Sequence, residues 1–168
     1  YGPAAIRYMQ SNKYKIINID TLTYASNQNY LKSVSKLKNY KFYKINILNT
    51  KKIINLIKKY KPIYIFNFAA ESHVDNSIKN SDKFINTNIL GTHSLLKAVL
   101  RSKKILSTSF KFIQISTDEV FGSLSTGTAN ENSKFNPSNP YAATKASAEL
   151  LVNSYIITHN SDAIITRC

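Results

Sequence analysis

Short apolar runs that close on a polar residue recur along this chain, each followed by a stretch with helical spacing, and that alternation leaves few folds open. Lys15-Ile16-Ile17-Asn18-Ile19-Asp20 is the first such run, Tyr40 to Ile47 alternates as a strand does, and Ile63 to Phe68 is apolar almost throughout. Lys111 to Ser116 and Ala163 to Thr166 complete the series. Between the runs, Asn27 to Lys38 reads as helical, and Asn49 or Thr50 can cap a helix with Ile53, Leu56, Ile57 and Tyr60 at helical spacing. Pro62 ends that helix. A long helix covers Asp82 to Arg101, and another covers Tyr141 to Thr158 with Leu150, Leu151 and Ser154 on related faces. Strands separated by helices pair in parallel through right-handed crossovers, with helices on both sheet faces. The pattern predicts a doubly wound α/β parallel sheet, with Asn130 to Pro140 as its clear loop.

Composition narrows the function. The 168 residues suit one domain, and 43% hydrophobic with 19% charged content is a globular balance. No apolar run approaches the roughly 20 residues that span a bilayer, so no membrane role is expected. The single cysteine, Cys168, excludes internal disulfides and a cysteine-rich metal site, and reads as cytoplasmic. The formal net charge of +14 comes from lysines spread over polar helix faces, among them Lys32, Lys36, Lys51, Lys52, Lys58 and Lys59. No recognition motif accompanies that charge, so it reads as a solvated surface and no nucleic-acid partner is expected. His73, His93 and His159 are far apart in sequence, and no metal site is expected.

Ligands of doubly wound sheets bind at the carboxyl ends of the strands, which singles out Asp20, Asn46, Phe68 to Ser72 and Thr117 to Glu119. The chain has four glycines, so no Gly-rich phosphate loop can be written. Gly2-Pro3 instead heads a helical pattern, as the last glycine of such a loop would. The expectation is a partial domain that lacks the first strand. Asp20 lies 18 positions after Gly2, where an acid accepts hydrogen bonds from the adenosine ribose of a dinucleotide and disfavours a 2′-phosphate, pointing to NAD. An aspartate opening a turn is the alternative. Tyr141 and Lys145 form Y-x-x-x-K on one helix face, and an ammonium beside a tyrosine favours the anion that can take a proton from a sugar hydroxyl. Tyr40 and Lys44 share the spacing in a strand, where it carries no such meaning. Thr117-Asp118-Glu119 ends an apolar strand; these residue types cap turns, and two acids beside a hydroxyl also suit acid–base work on a polyol.

The stretch Ser116-Thr117-Asp118-Glu119-Val120-Phe121-Gly122, followed by Asn139-Pro140-Tyr141-Ala142-Ala143-Thr144-Lys145-Ala146, resembles the extended short-chain dehydrogenase/reductase family. Within it the resemblance is to the dTDP-glucose 4,6-dehydratases, over essentially the whole chain. Asp20 to Ala25, Ala69 to Asp75 and Thr87 to Thr92 support it. Epimerases of the superfamily typically lack the acid pair, and GDP-mannose dehydratases carry a different triplet.

The resemblance implies a lyase that removes water from dTDP-glucose by transient hydride transfer to NAD, with UDP-glucose as the alternative substrate and a non-catalytic remnant as the alternative to an enzyme. It implies Tyr141 as base with Lys145 as its electrostatic partner, Glu119 removing the C5 proton and Asp118 protonating the C6 hydroxyl. Thr117 would hydrogen-bond the reacting hydroxyl and Ser72 would touch substrate. For the cofactor it implies Gly2, Asp20, Thr23, Asn46, Ile47, Phe68, Ala69, Ala70, Ser72, Thr87, Tyr141 and Lys145. It further implies a homodimer for the full-length protein and a C-terminal substrate domain beyond this NAD-binding Rossmann-type portion. Two departures stand out: Asn46 where the family usually has Asp, and Phe121 for a usual Tyr.

Overall fold

The computed structural model describes residues 2–12, 14–23, 26, 28–123 and 126–168, without the side chain of Gln28. Tyr24, Ala25 and Asn27, part of the motif and helix expected there, lie outside the described residues. The chain divides into two compact units, residues 1–47 and 48–168.

The first unit opens on α1 (Gly2–Ser11), with Pro3 in the first turn, where its missing N–H costs nothing. Strand β1 (Ile16–Asp20) follows, then a 3-10 turn (Gln28–Leu31), the short α2 (Lys32–Ser35) and β2 (Tyr40–Lys44). The strands pair in parallel from Ile16 opposite Tyr40 to Asp20 opposite Lys44. Gln10 Nε2 donates to Asn39 Oδ1 at 2.9 Å, tying α1 to the head of β2. The helix expected to Lys38 is cut to one turn after the 3-10 segment. Ser33, Val34 and Ser35 are weak helix formers, and Leu37 N turns back to Val34 O instead. β2 also stops three residues short of the expected Ile47, although Ile45 N still donates to Asp20 O at 3.1 Å.

The second unit begins with α3 (Thr50–Tyr60), capped by Asn49, whose side chain accepts from Lys52 N. Lys61 ends it in the left-handed region at φ 43°, one residue before Pro62. Strand β3 (Tyr64–Asn67) leads to α4 (Val74–Lys79), an element with no apolar periodicity to announce it. The long helix expected over Asp82 to Arg101 is present in three joined parts: α5 (Asp82–Phe84), a π-helical segment (Ile85–Leu90) and α6 (Gly91–Ser102). Strand β4 (Lys111–Ser116), a 3-10 turn (Asp118–Phe121), α7 (Pro140–His159) and β5 (Ala163–Arg167) complete the unit. The sheet order is β3-β4-β5, all parallel, with helical crossovers between consecutive strands.

Ile53 and Ile57 of α3 and Leu95 and Leu96 of α6 are buried, and Thr50 Oγ1 meets Ser94 Oγ at 2.7 Å where these helices pack. Helix α7 lies against β4, β5 and α4, and its Ala142, Ala146, Ala148 and Val152 are buried. Small side chains let it approach closely. The face through Leu150 and Ser154 points outward, with Leu150 58% exposed.

Candidate active site

Strand β4 delivers Thr117 at its carboxyl end, and there the chain makes a tight 3-10 turn. Thr117 caps that turn: its Oγ1 accepts from Glu119 N at 3.3 Å and donates to Asp118 Oδ1 at 3.2 Å. Thr117 is buried, Glu119 half-buried and Asp118 exposed, so the two carboxylates have different surroundings although adjacent in sequence. The turn is held from below by Val120 and Phe121, which pack with Ala146 of α7 and with Ala129 and Phe135 of the following loop. Asn136 N donates to Val120 O at 3.0 Å, and Gly122 N donates to Glu119 O at 3.0 Å. Gly122 sits at φ 75°, ψ −168°, a region essentially reserved for glycine. A Cβ there would overlap the Asn136 carbonyl oxygen.

Helix α7 starts beside this turn. Pro140 has no N–H, Tyr141 N donates to Ser77 Oγ at 3.1 Å, Ala142 N to Asn139 Oδ1 at 2.8 Å and Ala143 N to Asn139 O at 3.0 Å. The first turn therefore has no orphan donor. Tyr141 is 8% exposed, with Phe84 edge-on at 6.4 Å. One helical turn on, the Lys145 ammonium is buried and donates to Ile115 O at 2.5 Å. Burial pushes the Lys145 pKa down to about 8, against the opposing pull of negative charge at Glu149 and Cys168. Among the described residues that is its one hydrogen bond, so two of the three ammonium protons are available.

A third structural device joins the loop after β3 to α7. Asn88, 2% exposed in the π-helical segment, accepts from Glu71 N at 2.9 Å and donates to Glu71 O at 3.0 Å and Thr144 Oγ1 at 3.0 Å. Thr144 Oγ1 donates in turn to Tyr141 O at 2.7 Å. π segments, with i→i+5 bonding in place of i→i+4, recur at functional sites. Deeper in α7, Glu149 is fully buried and takes a bidentate ion pair from Arg167, with Nη2 to Oε2 at 2.5 Å and Nε to Oε1 at 3.1 Å. The Arg167 guanidinium lies 5.0 Å from the Phe121 ring centroid. Asn88, Glu149 and Arg167 escaped the sequence reading, because a polar residue declares a partner only in three dimensions.

The second unit thus brings together Thr117, Asp118, Glu119, Tyr141 and Lys145 around the end of β4 and the start of α7. Phe68, Ala69 and Ala70 follow β3 half-buried, Ser72 is exposed, and Thr87 is half-buried in the π segment. In the first unit, Gly2 opens α1, and Asp20 ends β1 exposed with Oδ1 accepting from Leu22 N at 2.7 Å and Ser26 Oγ at 3.2 Å. Asp20 therefore does make the turn contact weighed as the alternative to ribose binding. Thr23 and Asn46 are exposed and Ile47 half-buried. Tyr40 and Lys44 lie on β2 as expected. His73 is exposed at the head of α4, and no metal-binding cluster occurs among the described residues. Among the same residues no helix is long and apolar enough to cross a membrane.

Comparison with known proteins shows the family and the fold. The family model GDP-mannose 4,6 dehydratase matches residues 2–168. The dTDP-glucose 4,6-dehydratase of Haemophilus influenzae is 42% identical over 98% of this chain and 51% of its own length. The dTDP-D-glucose 4,6-dehydratase of Dictyostelium discoideum is 45% identical over 91% of this chain and 37% of its own. Among solved structures, DesIV, a dTDP-glucose 4,6-dehydratase from Streptomyces venezuelae with NAD and TYD bound, superposes at a TM-score of 0.92. It is 33% identical over 99% of this chain and 52% of its own. That likeness carries the doubly wound Rossmann-type fold over the whole chain. A UDP-glucose 4-epimerase from Brucella ovis, 24% identical with a TM-score of 0.86, shares the fold alone. The chain spans about half the length of the curated relatives it matches. It belongs to the nucleotide-sugar dehydratase family that the GDP-mannose 4,6 dehydratase model describes.

Proposed function

We propose that this chain is the NAD-binding half of a dTDP-glucose 4,6-dehydratase, a lyase of the cytoplasm that works as a homodimer once joined to its substrate-binding half. The observation that carries the reading is the convergence of Thr117, two differently exposed carboxylates, a buried tyrosine and a buried ammonium at one strand end. An epimerase needs only a base and a hydride carrier. A dehydratase needs in addition an acid and a base for the elimination, and the adjacent Asp118 and Glu119 supply that pair.

The donor set fits the cofactor. The two available protons of Lys145 suit a ribose diol, and the Ser116 hydroxyl at the end of β4 is buried without a partner. Phe68, Ala69, Ala70, Ser72 and Thr87 would line the middle and nicotinamide end of NAD. Gly2, Asp20, Thr23, Asn46 and Ile47 would serve its adenosine and phosphate end. Bound there, NAD would take hydride from C4 of the sugar and return it to C6.

The remaining steps belong to the protein. Tyr141 removes the C4 hydroxyl proton while Lys145 stabilises the resulting charge and Thr117 hydrogen-bonds the same hydroxyl. The 4-keto group acidifies C5–H. Glu119 takes that proton and returns it to C5 as hydride reaches C6, and Asp118 gives one to the departing C6 hydroxyl, which leaves as water. Ser72 contacts the sugar from the loop after β3. The test uses the full-length protein and dTDP-glucose carrying deuterium at C4. Deuterium recovered on the C6 methyl of a 4-keto-6-deoxy product is the expected result. No conversion of dTDP-glucose, with UDP-glucose converted in the same way, would move the substrate assignment; no conversion of either would remove the activity.

A further inference from the structure

The amide of Asn139 has two termini, and both are committed. Its Oδ1 accepts from Ala142 N at 2.8 Å and closes the N-terminus of α7, while its Nδ2 donates to Glu119 Oε2 at 3.0 Å. The backbone there is extended, at φ −146° and ψ 163°, as a residue before proline requires. The orientation of the amide is therefore fixed by chemistry. The helix end presents only a donor, so the oxygen must face it and the nitrogen must face the carboxylate. Aspartate, serine and threonine cap helices as well as asparagine does. None of them reaches Glu119 with a donor: serine and threonine end at the capping oxygen, and aspartate would present a second anion.

We propose that Asn139 is a positioning residue, holding the Glu119 carboxylate against the start of the helix that carries Tyr141 so that the elimination base keeps its place while Tyr141 deprotonates the C4 hydroxyl. This rests on the dehydratase reading above. Tyr141 and Glu119 act on neighbouring carbons of one bound hexose, and their relative position decides whether oxidation is followed by elimination or by simple return of the hydride. One side chain binds both elements. Its loss leaves oxidation intact and slows the step that follows.

The experiment is Asn139→Ser in the complete protein with NAD bound, compared with the unaltered enzyme on dTDP-glucose. Turnover should fall about tenfold, the size expected for one hydrogen bond to a charged group. The steady-state fraction of reduced nicotinamide, read by its absorbance, should rise at the same time. Thermal stability should fall only by the loss of that one partly exposed bond, because serine keeps the cap. Asn139→Asp, which also keeps the cap, should slow elimination further by facing Glu119 with a like charge, and it decides the matter if the serine variant does not fold. Unchanged turnover, or a fall without accumulation of reduced cofactor, overturns the proposal. An unaltered enzyme that leaves dTDP-glucose and UDP-glucose untouched instead defeats the activity itself, so the two failures are distinguishable.

Discussion

Replacing Lys145 by methionine should stabilise the fold at neutral pH, by an amount that shrinks as pH rises. Burial holds the Lys145 pKa at about 8 against an ordinary 10.5. Well below pH 8 both folded and unfolded chains carry the ammonium, and the folded state bears its whole desolvation, about 3 kcal/mol for a shift of this size. Between 8 and 10.5 the unfolded chain binds more protons than the folded one, so stability rises with pH and the cost fades. Methionine fills a similar volume without the charge. It leaves the Ile115 carbonyl without its 2.5 Å donor, which returns about 1 kcal/mol. The variant should therefore be more stable by about 2 kcal/mol near pH 6.5, and this advantage should fall by about 2 kcal/mol near pH 9.5. Urea unfolding of both proteins at the two pH values measures it. A variant less stable at the lower pH, or a difference that does not move with pH, would refute the argument. On the proposed function, the same substitution should abolish turnover in the complete protein.

Three further substitutions probe the scaffold. Gly122→Ala places a Cβ against the Asn136 carbonyl in a backbone region closed to alanine, and should lower the unfolding free energy by about 3 kcal/mol and displace the Thr117–Glu119 turn. Glu149→Ala strands the Arg167 guanidinium, and an unfolding experiment should show a loss of about 3 to 5 kcal/mol, less when Arg167→Met accompanies it. Asn88→Ala removes three hydrogen bonds, two of them to the Glu71 backbone, for a loss of about 3 kcal/mol and faster amide exchange at Glu71.

The fold class was legible because the chain alternates two periods. Ile16 to Asp20 and Lys111 to Ser116 are strands within a residue of where apolar patterning sets them, and the α3 cap is Asn49, one of the two candidates named from sequence. The site was legible in part. Tyr141 and Lys145 carry their spacing in the sequence, and the acid pair stands at a recognisable strand end.

Local pattern could not supply partners. Asn88 looks like any polar helix residue until the π segment turns it onto Glu71 and Thr144. Glu149 breaks the rule that charges stay outside, and only β5 returning beside α7 brings Arg167 to neutralise it. Asn139 falls in the stretch read as a loop, and its bond to a carboxylate twenty residues earlier exists because β4 and α7 are neighbours. The sequence by itself determined the strands, most of the helices and the chemical groups, since each follows from periodicity and side-chain type over a few residues. Tertiary structure decided which group meets which, because burial, ion pairing and hydrogen bonding depend on distances between segments far apart along the chain.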